Sequence, residues 1–129
     1  MSAADHVSLI RPEQRVPGDP TPGMVREQAI AVDGMWAGLV HTEAHMVSGW
    51  HHHGDHDSAI YVVSGALRME SGPGGAVVAD ARPGDFVHVP RGAIHRESNP
   101  EDTESRVVVV RSGQGPVVIN VDGPASADS

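Results

Sequence analysis

The chain has 129 residues, no cysteine and a formal charge of -8 with its nine histidines neutral. That length suits one domain with its own core, and the lack of cysteine excludes disulfides and thiolate chemistry. The acidic balance argues against binding nucleic acid through its phosphates, and because all nine basic residues are arginine there is no Schiff-base or P-loop lysine.

Residues 1–34 read as an N-terminal arm. Its first 23 residues are polar and proline-rich ("RVPGDPTPG"), and "MVREQA" at 24–29 reads as a short strand or helical turn. The opening "MSAADHVSLIRPEQ" lacks the basic-then-apolar order of a secretory signal. No apolar run approaches the ~20 residues needed to cross a bilayer, so the expectation is a cytoplasmic protein without a membrane partner.

From residue 35 to 120 short apolar runs recur, separated by Gly, Pro and Asp: "MWAGLVH", "MVSGWHH", "AIYVVSG", "ALRME", "AVVADA", "DFVHVP", "RVVVVR" and "PVVIN". They are short and β-branched, and none keeps a helical period over ten residues. The pattern predicts an all-β sandwich or barrel. "ESGPGG" and "PGD" are turns, with Gly65 and Gly84 as turn glycines. Residues 121–129 are small and polar and read as a disordered tail.

The densest chemistry is "SGWHHHGDHDSAIYVVSG" at 48–65. In a strand, residues two apart share a face, so His51 and His53 point together and His52 points away. Two imidazoles in that relation can share one ion, with a third ligand from a neighbouring strand. Imidazole suits zinc, iron, copper and nickel alike. On composition alone, a solvated polar tract is an equal alternative.

A second segment, "PGDFVHVPRGAIHRESNP", places Gly84, five residues, Pro90, one residue, Gly92, two residues, His95, three residues and Asn99. This spacing resembles the second motif of the cupins, G-x5-P-x-G-x2-H-x3-N, at every named position. The cupins' first motif, G-x5-H-x-H-x3or4-E-x6-G, matches at His51, His53 and Gly65. It departs at Ser58, where the family carries glutamate, and its first glycine is displaced to Gly49. The resemblance spans roughly residues 35–120. It implies a small single-domain cupin: a double-stranded β-helix, or jelly-roll, barrel with His51, His53 and His95 as metal ligands. The ion would be a divalent transition metal (Fe, Zn, Ni, Mn or Cu). With the glutamate missing, water completes the shell, or Asp57 or His56 serves as a fourth ligand; the three-histidine reading is favoured. Single-motif cupins commonly pair, and "AIAVDGMW" (29–36) could cover a neighbour's sheet edge, so a homodimer is expected.

Ser58, His88, Trp36 and Arg96 are the candidate pocket residues. His88 shares a strand face with Phe86 and Pro90. Arg68 or Arg96 could pair with a substrate carboxylate. Asp55, Asp57 and Glu97 are candidates to orient the ligating histidines, whereas Tyr61 should point away from the metal face. No nucleophile elbow, H-E-x-x-H or phosphate loop is present. Three functional readings follow, each acting on or binding a small molecule. The leading one is a metal-dependent dioxygenase. The second is a Lewis-acid isomerase, cyclase or lyase of secondary metabolism, and the third a non-catalytic ligand-binding cupin. Three neutral ligands leave the full +2 charge on the ion, which favours an anionic substrate.

Overall fold

The computed structural model describes residues 6–19, 21–115 and 117–124. Eleven strands build two antiparallel sheets. The first holds, in spatial order, β1 (Val16–Pro17), β2 (Met24–Val32), β3 (Met35–Thr42), β10 (Ser105–Gly113), β5 (His56–Ser64) and β8 (Phe86–Val89). The second holds β11 (Ile119–Asn120), β4 (His51–His52), β9 (His95–Ser98), β6 (Leu67–Ser71) and β7 (Val77–Ala81). From β3 onward the chain passes from one sheet to the other at each step except the β6–β7 hairpin, which is the jelly-roll arrangement the cupin resemblance implies.

Alternation decides what lies between the sheets. Along β5, His56, Ser58, Ile60 and Val62 are buried while Ala59, Tyr61 and Val63 are exposed. Along β10, Val107 and Val109 point inward beside Val40 of β3 and Ile60 and Val62 of β5. Leu67, Met69 and Ala81 close the core from the second sheet, with Val89 of β8. The expected outward direction of Tyr61 holds: its ring packs on Phe86 at 4.9 Å, on the outer face.

Of the two expectations for the arm, a short strand or a helical turn, the structure has the strand. "MVREQA" forms no helical turn; it opens β2, a nine-residue strand paired along β3. The backbone there is satisfied by the β2–β3 ladder, whose Asp33-Gly34 turn puts Gly34 at φ +82. Local propensity was a weak guide because cross-strand pairing outweighs it. Residues 29–36, expected to cover a neighbour's sheet edge, lie in this hairpin and pair within the chain, with a bulge at Ala29. The C-terminal segment is ordered through β11, and Val121 N–H donates to Trp50 O at 3.1 Å. Residues 125–129 of the expected tail lie outside the described residues.

Asn99, the last position of the second motif, ties together the segments that follow β3 and β9. It is 1% exposed, and its Nδ2 donates to the carbonyls of Thr42, Glu43 and Thr103 at 3.2, 3.2 and 2.8 Å. Its Oδ1 accepts from Glu101 N–H at 3.1 Å. Leaving buried carbonyls without a donor costs about 1–3 kcal/mol per group. Asn99→Ala should therefore lower stability by about 2–4 kcal/mol, read as a lower urea midpoint with an unchanged slope. A loss below about 0.5 kcal/mol would show that solvent replaces these bonds freely.

Candidate metal centre

The short strand β4 and the strand β9 lie side by side, with His51 directly opposite His95. His53 follows two residues on, where the chain turns toward β5. All three side chains are buried, at 7%, 8% and 3% exposure for His51, His53 and His95. His52 points the other way and its Nδ1 accepts the Gly54 N–H at 3.0 Å. One potential ligand nitrogen from each of the three lies within 4.8 Å of the others. The ring centroids are 4.4–5.0 Å apart.

The hydrogen bonds fix which nitrogen each ring offers. His51 Nδ1 donates to Gly49 O at 2.9 Å, His95 Nδ1 to Ala93 O at 2.9 Å and His53 Nδ1 to Val117 O at 2.6 Å. A carbonyl can only accept, so each Nδ1 carries the proton and each Nε2 is left with a lone pair. Convergent, dry lone pairs with nothing to accept from are a poor arrangement for imidazoles alone and a good one for a cation. The three-histidine group could thus hold a divalent metal ion. Burial, then the nearby Arg111 charge, lowers the pKa of His53 to about 3; burial and the neighbouring His51 also lower that of His95. Both rings are therefore neutral, the state ligation requires.

The candidate fourth ligands are not brought to this group. Both ring nitrogens of His56 face carbonyl oxygens, Ser112 O and Gly115 O, each at 3.0 Å. Asp57 lies on the outer side of the barrel, held by Arg91 Nε at 2.7 Å and His88 Nε2 at 3.0 Å. The carboxylates expected to orient the histidines, Asp55, Asp57 and Glu97, do not do so; backbone carbonyls take that part. His88 is also not a pocket residue: it is largely exposed, because β8 alternation puts Val87 and Val89 inside. Arg96 sits on the outer face of β9, paired with Glu70 at 2.7 Å and stacked 4.6 Å above the Trp50 ring.

Trp36 and Ser58 do face inward. Trp36 lines a cavity of about 1190 Å³ at the open end of the barrel, and His51 forms part of the same wall. Three further cavity residues matter. Glu97, two positions beyond His95 on the inner face of β9, lines it, and among the described residues its carboxylate has no hydrogen-bond or ion-pair partner. Arg111 projects inward from β10 in register with Ser58 and Trp36. Its Nε donates to Ser58 Oγ at 3.2 Å, and burial lowers its pKa. Arg26 lines the cavity farther along, donating to Thr21 Oγ1 at 2.7 Å. Glu97 was open to sequence reasoning, since alternation from His95 places it inside. Arg111 was hidden in "RVVVVR", where valines occupy both faces and give no alternation to count from.

A two-sheet barrel carrying three inward histidines from two spaced motifs defines a class. The family model described as Cupin domain matches residues 38–111, and the chain belongs to the cupin family. Solved structures share its fold. KdgF from Halomonas sp. is 24% identical, with a TM-score of 0.72 over 85% of this chain and 96% of its own. The polyketide cyclase RemF from Streptomyces resistomycificus is 19% identical, with a TM-score of 0.74 over 90% and 86%. The Drosophila melanogaster CENP-C cupin domain is 17% identical, with a TM-score of 0.71 over 83% and 82%. Among curated proteins none matches significantly. No helix among the described residues is long and apolar enough to cross a membrane.

The depressed histidines set a pH dependence for the metal-free protein. Below pH ~6.5 the unfolded chain protonates these imidazoles while the folded barrel keeps them neutral, so the folded state binds fewer protons. Stability should therefore fall as pH drops below ~6.5, for His53 down to its folded value of about 3 by up to ~1.4 kcal/mol per pH unit, with the lowered His95 adding in the same direction. Urea unfolding of chelator-treated protein at pH 7.5, 6.0 and 5.0 measures this. A flat or rising profile would contradict the neutral, buried assignment.

Proposed function

We propose that the chain is a metal-dependent cupin enzyme that moves a proton on a small organic molecule, as an isomerase, cyclase or lyase does. The observation that carries this reading is the unpartnered Glu97 carboxylate in the cavity whose wall includes His51. His51, His53 and His95 would hold the ion. When bound, a divalent metal supplies Lewis acidity, polarising a carbonyl or lowering the pKa of bound water. The protein's own residues do the rest. The three Nδ1–carbonyl bonds keep the imidazoles aimed. Glu97, free of competing donors, accepts a proton from a substrate carbon or oxygen and returns it to another position. Val, Met and Trp36 side chains supply the apolar part of the cavity wall.

Dioxygen chemistry, the leading reading of the sequence, needs no such carboxylate, and so this geometry favours the second reading over the first. That a polyketide cyclase is built on the same fold agrees with proton chemistry in this scaffold. The expected homodimer would use the outer face of the first sheet, where Tyr61, Val63, Phe86 and Val110 are exposed; light scattering should give twice the mass of the 13.5 kDa chain.

Elemental analysis of wild type, His53→Ala and His95→Ala comes first. Near-stoichiometric metal in wild type, lost in both variants, is expected. With zinc or nickel bound, small enolisable keto acids in D2O should take up solvent deuterium, followed by NMR. Glu97→Gln should slow that exchange by about 10²-fold while keeping its metal. Exchange unaffected by Glu97→Gln, together with iron-dependent oxygen uptake, would overturn proton transfer in favour of the dioxygenase. No metal even after reconstitution would leave a ligand-binding barrel.

A further inference from the structure

Arg111 has no carboxylate partner within 4.0 Å among the described residues, although it lies inside the barrel. Every other arginine whose ion pair the structure records meets its acid at or near the surface: Arg15 with Glu27, Arg68 with Asp80, Arg91 with Asp55 and Asp57, and Arg96 with Glu70. Arg111 has only a neutral contact, the 3.2 Å bond from Nε to Ser58 Oγ. Its guanidinium lies 5.9 Å from the Trp36 ring, and its terminal amino groups donate to no described residue. A second guanidinium, that of Arg26, lines the same cavity and is also without an acid partner. Three acids line the cavity, Asp19 and Asp33 at its exposed rim and Glu97 further in, and among the described residues none reaches Arg111 as an ion pair.

The register explains the missing acid. Ser58 is the direct cross-strand neighbour of Arg111, and it occupies the position at which the first cupin motif carries glutamate. A glutamate there would face the guanidinium and neutralise it. With serine, a partly buried cation is left facing open volume. A desolvated guanidinium is costly unless an anion meets it, and its planar fork matches a carboxylate bidentately. We propose that Arg111, freed by Ser58, is the anchor for the carboxylate of a small anionic substrate, which would set the reacting carbon between the three-histidine group and Glu97. The inference rests on the proton-transfer reading above for the reaction, but the anchor itself is a property of the cavity. Arg111 binds rather than reacts, so it selects monocarboxylates over their neutral esters and amides.

The test uses pyruvate and its neutral counterpart methyl pyruvate as probes, followed by ligand-observed NMR titration of the full chain. Wild type, Arg111→Gln, Arg111→Lys and Ser58→Glu are compared in zinc-loaded and metal-free forms, with metal content and melting temperature measured for each. Wild type should prefer pyruvate. Arg111→Gln and Ser58→Glu should each weaken pyruvate at least tenfold and leave the ester unchanged, and Arg111→Lys should keep part of the preference. Ser58→Glu, read in the metal-free form where the new carboxylate has no ion to bind, removes the anchor's charge without touching Arg111, so a folding failure of Arg111→Gln does not leave the matter open. If the protein takes up no zinc, the metal-dependent reading fails; an Arg111-dependent preference in the metal-free form still upholds the anchor. If zinc loads and the preference survives in both Arg111→Gln and Ser58→Glu, the anchor is overturned and the metal centre stands. Absence of any preference in wild type, with or without zinc, also overturns it.

Discussion

Three backbone carbonyls, those of Gly49, Ala93 and Val117, decide what the open end of this barrel can do. Each accepts the Nδ1 proton of one histidine, and so fixes both tautomer and ring direction. Two of the bonds are local: His51 and His95 each reach back to the carbonyl two residues earlier. The third is not. His53 depends on Val117, which β11 and the Ser112–Gly115 loop carry across from the far end of the chain. That loop is itself pinned by His56 through its two ring contacts. His56 thus serves the three-histidine group from a distance, as a fastener of the segment that aims His53, and its burial has a structural account without ligation.

The same accounting separates the cavity from the rest of the molecule electrically. The chain is acidic overall, at -8, yet its cavity holds Arg111, Arg26 and the three-histidine group beside Glu97, with Asp19 and Asp33 exposed at its rim. Surface acids pair with surface arginines and screen one another. Buried charges have no such relief, because in a medium of low dielectric an unmatched cation interacts strongly over several ångströms. Arg111 is felt in this way at His53 and His95, where it disfavours the protonated rings. It thereby helps keep the ligands neutral even before any ion or anion arrives.

Much of this was legible in the sequence, for physical reasons that can be named. Strand alternation is geometric, so the shared face of His51 and His53 and the outward turn of Tyr61 follow from counting. The spacing from Gly84 to Asn99 encodes a turn, a strand and a return, which carried His95 to the same group. What was not legible depended on pairing between distant strands. Met24–Val32 is a strand because β3 lies beside it, not because its residues insist on it. His88 and Arg96 went outward because their registers are set by β5 and β6. Asp57 looked one residue away from the glutamate position, but one residue in a strand is the opposite face, and there Arg91 holds it.

The division of labour along β10 suggests why such a barrel can change chemistry without changing shape. Its inward residues run Ser105, Val107, Val109 and Arg111. The middle pair belong to the core, where a change of volume is felt at once. Two residues further on, at Arg111, the same face has left the core and entered the cavity, where a charge is tolerated because solvent or a ligand can reach it. The inward positions 36 and 58 flank Arg111 on β3 and β5, and Glu97 of β9 lines the same cavity from the other sheet. Substitution there alters what the cavity binds while the Val40–Val62–Val107 packing holds the strands. Serine at 58 is a substitution of that kind. It puts a hydroxyl where the family's motif carries a carboxylate, and so leaves the Arg111 guanidinium without an acid directly across the strand.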